Sequence, residues 1–363
     1  MVEMFNVRSF SKTLSRENCD SNGVKQPILI WKREYHRGVI ARVAVEHRNS
    51  YALRCEDGAE IFATLAGKLR YETSNREDLP AVGDFVRVRD TVIEEVLPRR
   101  TVFLRKASGD TLEAQVIAAN IDTVFVVTGL DRDFNLRRLE RYFATARASG
   151  AHCTIVLNKA DLCEDLDGRT HQVRAIAPGA DVVTISALHG EGIDALRLYL
   201  VPGETVAFVG SSGAGKSTLI NRLLGRERQM TGAVREADSR GRHTTTHREL
   251  LETPSGALLI DTPGLRELQP WAGEDDVDGA FLDIEELAER CRYRDCAHAG
   301  EEGCAVQAAI DDGSLDFDRF ANYRKMRKEA AYLDRQLDVR AQLEQKAKWK
   351  KIHKAMRNVD KRA

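Results

Sequence analysis

The sequence predicts a multi-domain α/β protein, with a five-stranded OB-type β-barrel, then a doubly wound sheet domain, then a Cys/His-bearing helical domain. Three observations predict this. Five short β-type runs separated by turn residues occupy residues 37–100. From residue 121 the texture changes to continuous apolar runs alternating with helical stretches. Three of the seven cysteines and one histidine then fall within 14 residues.

Length and composition set the frame. The 363 residues are 42% hydrophobic, 31% charged and 6% aromatic, an ordinary globular balance for two or three domains. We read a polar extension over 1–35, the barrel over 36–105, the sheet domain over 110–270 and the C-terminal domain over 271–363. No apolar run approaches the roughly 20 residues of a membrane helix. No apolar stretch with a cleavage site marks the first 30 residues. Irregular cysteine spacing argues against a disulfide framework and for a reducing cytoplasm. A net charge of −1 hides segregation: residues 319–363 hold 15 Lys/Arg against 5 Asp/Glu, whereas residues 272–290 hold eight acids and one arginine. A solvated helix face is one reading of the basic tail, and a nucleic-acid contact is the other.

The barrel strands are expected over 38–46, 51–55, 61–71, 84–89 and 91–97, with breaks at Glu56-Asp57-Gly58 and at residues 80–83. Five strands in so short a span fit an OB-fold. Such barrels often bind RNA, but this one is only slightly basic, so a plain packing module is the competing reading. Buried parallel strands are expected over 121–130, 152–157, 181–185, 204–210 and 257–260, with helices over 136–149, 192–200 and 216–224.

Gly210-Ser211-Ser212-Gly213-Ala214-Gly215-Lys216-Ser217 satisfies G-x-x-x-x-G-K-[ST] between a strand and a helix. Glycines let backbone N–H groups wrap phosphates, and the helix N-terminus adds its positive end. Lys216 is suited to the β- and γ-phosphates, the Ser217 hydroxyl to Mg²⁺, and Thr218 follows as a further nucleotide contact. A phosphate loop alone does not choose a nucleotide. Asn158-Lys159-Ala160-Asp161 does, as an N-K-x-D motif at a strand end. An Asp161 carboxylate accepts from the guanine N1–H and exocyclic amine, donors that adenine lacks in that arrangement. Asn158 would brace the loop and the Lys159 stem would cover the base. Ser186-Ala187, after the next strand, resembles the companion motif whose backbone N–H meets the guanine O6.

Asp261-Thr262-Pro263-Gly264 resembles the D-x-x-G switch, in which Asp261 holds Mg²⁺ through water and the Gly264 N–H senses the γ-phosphate. One threonine of the 240–247 loop should close on Mg²⁺, and spacing favours Thr246. The motif order is unusual. N-K-A-D and Ser-Ala precede the phosphate loop, and D-T-P-G comes last, which describes a circularly permuted GTPase. The chain leaves Gly264 directly towards the C-terminal domain, so switch motion can be passed there.

Cys291-x₄-Cys296-x-His298-x₅-Cys304 has zinc-ligand spacing. Three thiolates and one imidazole close a tetrahedral shell, so the expected ion is one structural Zn²⁺ per chain. Barrel, permuted motifs and this cluster together closely resemble the small-ribosomal-subunit-dependent GTPase family RsgA, also called YjeQ or YloQ, over about residues 37–326.

That resemblance implies a cytoplasmic, monomeric GTPase with Mg²⁺ that binds GTP and GDP. It implies action late in small (30S) ribosomal subunit maturation, contact with 16S rRNA, and hydrolysis stimulated by the subunit. It turns both the barrel and the basic tail towards RNA. Leu265 stands where Ras-like enzymes carry a water-orienting glutamine. The resemblance points instead to His243, whose imidazole can orient water near neutral pH, with contact to RNA or solvent as its other reading. Two rivals remain at this level: an RNA-binding assembly factor using GTP only as a slow switch, and a small-molecule kinase.

Overall fold

The computed structural model describes residues 38–47, 49–72, 76–106, 114–225, 248–261 and 273–336. These fall into two compact units, one running to residue 261 and the other from residue 273.

The first unit opens with β1 (Val39–Glu46), β2 (Tyr51–Cys55), β3 (Glu60–Leu65), β4 (Phe85–Arg89) and β5 (Val92–Val96). Their order is β1-β2-β3-β5-β4, and β4 pairs back onto β1, closing the barrel. Period-2 alternation is the cause: Val86 and Val88 point in while Arg87 and Arg89 point out. Val43, Leu53, Val86, Val88 and Ile93 are fully buried in its core. The run expected as strand to residue 71 stops at Leu65, and Gly67–Glu72 forms a short helix, α1. Alternating Leu69 and Tyr71 looked β-like, yet only Leu69 packs on the barrel core while Tyr71 is 92% exposed.

An antiparallel pair unread in the sequence follows, β6 (Val102–Lys106) with β7 (Ala114–Ala119). The sheet domain then comprises β8 (Thr123–Gly129), α2 (Leu136–Ala148), β9 (His152–Asn158), α3 (Leu166–Ile176), β10 (Asp181–Thr184), β11 (Thr205–Val209), α4 (Lys216–Leu224), β12 (Glu249–Glu252) and β13 (Leu258–Asp261). The strand order is β10-β9-β8-β11-β13-β12, parallel except for antiparallel β12. β8 and β11 are buried along their whole length, which accounts for their unbroken apolar sequence. Phe125, Phe208 and Tyr199 meet edge to face at 5.5–5.6 Å in that core. The helix expected over 192–200 is a 3₁₀ segment, Ile193–Tyr199. Ile193, Leu196 and Tyr199 recur every third residue and pack on the same core, a spacing that suits three residues per turn.

Barrel and sheet domain are joined by hydrogen bonds. β1 bridges β12 at Val45 and Glu249. Arg54 pairs with Glu252, and Arg248 reaches Glu46 at 3.4 Å. Buried Arg42 donates to the Gly83 carbonyl at 3.1 Å and the Asn120 carbonyl at 3.0 Å, with its guanidinium 5.0 Å over the Phe85 ring. Burial pulls its pKa down to about 10, still well above neutrality.

The second unit packs α5 (Glu274–Ala280), α6 (Leu282–Ala288), α7 (Ala305–Asp311) and a helix over 317–336 around Phe281, Ile284, Val306, Phe320 and Met326. Opposite charges that are segregated in sequence meet here. Arg319 forks onto Asp283 at 2.6 and 2.7 Å, and Arg327 donates to Glu274 at 2.9 Å. Among the described residues no helix is long and apolar enough to cross a membrane.

Candidate functional site

Parallel registers bring the sequence motifs to one edge of the sheet. Gly129 pairs with Asn158, Leu157 with Thr184, Val126 with Val209 and Ala207 with Ile260. Asn158 and Asp261 therefore close β9 and β13 at their carboxyl ends, and the segments carrying Ser186 and Gly210 leave the same ends of β10 and β11. In open α/β sheets this edge is where ligands bind.

Local chemistry shapes the 210–217 loop. A Cβ on Gly210 would lie 2.0 Å from the Val127 carbonyl oxygen, and one on Gly215 would lie 2.1 Å from Asn158 Nδ2. Both residues also have positive φ, so only glycine suits them. Lys216 Nζ curls over the loop and donates to the Gly210 and Ser211 carbonyls at 2.7 and 2.6 Å. Ser217 and Thr218 open α4 beside it. Ser212, Gly213 and Ala214 complete the turn.

Asn158 is the link between loops. It is buried, donates from Nδ2 to the Ala214 carbonyl at 2.8 Å, and accepts at Oδ1 from the Ala187 N–H at 2.9 Å. Lys159 sits in the left-handed region at φ 64°, ψ 38°, uncommon for a side chain with a Cβ. Ala160 N donates to the Ile185 carbonyl at 3.1 Å, which ties the 158–161 turn to the strand leading to Ser186. The Asp161 carboxylate lies 3.7 Å from His189 Nε2. His243, Thr246 and Gly264 lie outside the described residues.

In the second unit, ligand atoms of Cys291, Cys296, His298 and Cys304 all lie within 4.8 Å of one another. His298 Nδ1 is 3.6 Å from Cys291 Sγ and 3.5 Å from Cys304 Sγ, and the two sulfurs are 4.0 Å apart. A tetrahedral zinc with about 2.3 Å bonds to sulfur needs ligand separations of about 3.8 Å, so the donor set fits. Burial lowers the His298 pKa and favours the neutral, ligating imidazole. His298 also has positive φ, a conformation the sequence does not reveal.

A family model described as RsgA GTPase matches residues 96–271. A protein of Opitutus terrae named small ribosomal subunit biogenesis GTPase RsgA is 54% identical over 332 residues, covering 87% of this chain and 90% of that protein. The chain belongs to the RsgA GTPase family. Small ribosomal subunit biogenesis GTPase RsgA 2 of Vibrio parahaemolyticus is 44% identical over 332 residues, covering 91% and 89%. The crystal structure of YjeQ from Thermotoga maritima aligns with TM-score 0.60 at 26% identity, over 81% of this chain and 99% of that one. YloQ, described as a circularly permuted GTPase, shares the fold at TM-score 0.57 and 22% identity, over 82% and 97%. As an RsgA-family member the chain is a GTP-hydrolysing enzyme with permuted motif order, and its Cys₃His cluster could hold a metal ion.

RsgA-type motif reading missed one fastening. Arg222 of α4 donates to the Ala187 and Leu188 carbonyls at 2.9 and 2.6 Å, clamping the Ser-Ala loop onto the helix that follows the phosphate loop. No local signal marks it, because the carbonyl partners lie 35 and 34 residues away in sequence.

Proposed function

We propose that this chain hydrolyses GTP at the carboxyl edge of its permuted sheet and assists the small ribosomal subunit late in maturation, with the subunit stimulating turnover. The Asn158 bridge carries the reading, because it fastens the guanine-type turn to the phosphate loop and to the Ser-Ala loop at once. Relatives matching most of the chain and named for small-subunit biogenesis support the cellular role.

In this reading Gly210 to Thr218 wrap the phosphates, Lys216 turns from loop carbonyls to phosphate oxygens, and Asp161 accepts from guanine. Asn158, Lys159, Ala160, Ser186 and Ala187 complete the base pocket. Ser217, Asp261 and Thr246 would hold Mg²⁺, whose charge offsets that developing on the phosphoryl oxygens. Gly264 reads the γ-phosphate and His243 orients the attacking water. Cys291, Cys296, His298 and Cys304 would hold one Zn²⁺ that staples the second unit together. The barrel and the basic tail contact 16S rRNA, and the chain acts as a cytoplasmic monomer.

Turnover of GTP alone, with purified small subunits and with large subunits tests the reading. Strong stimulation by small subunits only is expected. Equal rates in all three reactions would remove the ribosomal role. A His243→Ala variant should still pellet with small subunits while losing their stimulation.

A further inference from the structure

We propose that Asp131 and Asp133, in the loop after β8, are positioning residues for the two halves of the nucleotide site. Asp131 fixes the Lys159 stem, and Asp133 fixes the phosphate loop through Ser211. The inference rests on the assignment of residues 158–161 to guanine.

Four observations carry it. Lys159 Nζ forms an ion pair with Asp131 Oδ2, and both side chains are largely withdrawn from water, at 27% and 25% exposure. Ser211 Oγ donates to Asp133 Oδ2 at 2.9 Å, and the other oxygen of that carboxylate meets Arg138 at 2.8 Å. The carboxylates are set relative to each other, since Asp133 N donates to Asp131 Oδ1 at 3.1 Å. The loop itself is fastened at both ends. Leu130 N donates to the Asn158 carbonyl at 2.8 Å, and Asn135 caps α2 by accepting from Arg138 N at 2.9 Å. Phe134 lies beneath Arg169 of α3, 4.9 Å from ring centre to guanidinium.

The physical reason is preorganisation. A lysine has a flexible four-carbon stem, and laying it along a base costs the rotamer freedom it had before binding. Asp131 removes that freedom in advance, so less is lost when the nucleotide arrives. Burial on its own would raise the Asp131 pKa, but the hydrogen bonds from Lys159 and the Asp133 amide take it below the ordinary carboxylate range. The charge is therefore present at neutral pH. Ser211 is placed the same way, and because one short loop carries both carboxylates, base side and phosphate side are set in one frame.

Titration of GDP against the full-length chain tests this, with thermal unfolding as the check on folding. Asp131→Ala should weaken GDP by up to about tenfold, the cost of immobilising one rotamer-rich side chain at binding. Asp131→Glu should restore most of the affinity. Once Lys159→Ala is in place, removing Asp131 should cost nothing more, a result a merely structural role would not give. Likewise Asp133→Ala should weaken GDP, but not in a Ser211→Ala background. Unchanged GDP affinity in Asp131→Ala, or losses from Asp131 and Lys159 that simply multiply, would overturn the proposal while leaving the guanine assignment standing. A wild-type chain that binds no GDP would remove both.

Discussion

Asn158 donates to the carbonyl of Ala214 at 2.8 Å across 56 positions of sequence, and this bond makes one site of two motifs the permutation has reordered. In a chain whose N-K-A-D motif comes first, the Gly-rich 210–217 loop must return to it. β11 does so by inserting beside β8, which puts Gly210 opposite the strand that β9 already flanks.

Asn158→Ala should therefore do two things. It leaves the Ala187 N–H and the Ala214 carbonyl without their partner in a buried place, at a cost of about 2 kcal/mol. Nucleotide affinity should fall as well, since both loops lose their common anchor. Thermal unfolding with and without GDP measures both effects. A variant that melts and binds like the wild type would show that the bridge is incidental.

Asp161→Asn should shift base choice. Guanine N1–H and its amine lose their acceptor, whereas xanthine offers a carbonyl that an amide can donate to. Competition of GTP against xanthosine triphosphate reads the exchange. Undiminished GTP preference would mean that Asp161 does not meet the base.

Much of this was legible in the sequence because the signals are local. Period-2 alternation in Phe85–Arg89 fixed an inward and an outward face, and the apolar run of Thr123–Gly129 marked a strand buried on both sides. The P-loop glycines and the cysteine spacing are constraints within a few residues. What stayed hidden depends on tertiary partners. Gly67–Glu72 turns helical where Leu69 docks on the barrel, and nothing near Arg42 in sequence says that its guanidinium is buried against the Gly83 and Asn120 carbonyls. The left-handed backbone of Lys159, and the reach of Asp131 and Asp133, arise from strands brought together only by folding.

Arg42 makes a stability prediction. Arg42→Met keeps most of the volume but leaves the Asn120 carbonyl unpaired and weakens the bonding at Gly83, which also accepts from Asn120 Nδ2 at 3.2 Å. A loss of about 2 kcal/mol is expected in denaturant unfolding. If the variant were more stable than wild type, burial of the charge would outweigh its hydrogen bonds, as happens for some buried ion pairs.

Metal removal should act on the second unit. Cys296→Ala, or a strong chelator, should lower zinc content and loosen α6 and α7, because structural zinc supplies roughly 10–16 kcal/mol of apparent binding free energy. Elemental analysis and hydrogen exchange over residues 282–311 follow this. Wild type purified without any metal would remove the zinc assignment.

The second unit should also respond to pH through Asp278. Burial first, then the neighbouring Glu285, push its carboxyl up to about 6, while Arg327 opposes with Nε 3.3 Å from Oδ1. That contact is close enough for attraction, but Oδ1 is buried and receives no hydrogen bond. A carboxyl raised above its unfolded value favours the protonated folded state. Its contribution is thus fully present below the unfolded pKa and is lost as pH rises through about 6. Asp278→Asn keeps a neutral side chain at every pH. The variant should unfold at a higher temperature than wild type near about pH 7.5, and the gap should narrow as pH falls through about 6 and close only below the unfolded value of 3.8. Partial solvation screens the effect, so the gain should be under about 1 kcal/mol. Both proteins carry the same Cys₃His cluster, so any metal contribution to the pH profile cancels in the difference. A variant less stable than wild type near about pH 7.5 would mean that attraction to Arg327 outweighs burial and the surrounding carboxylates.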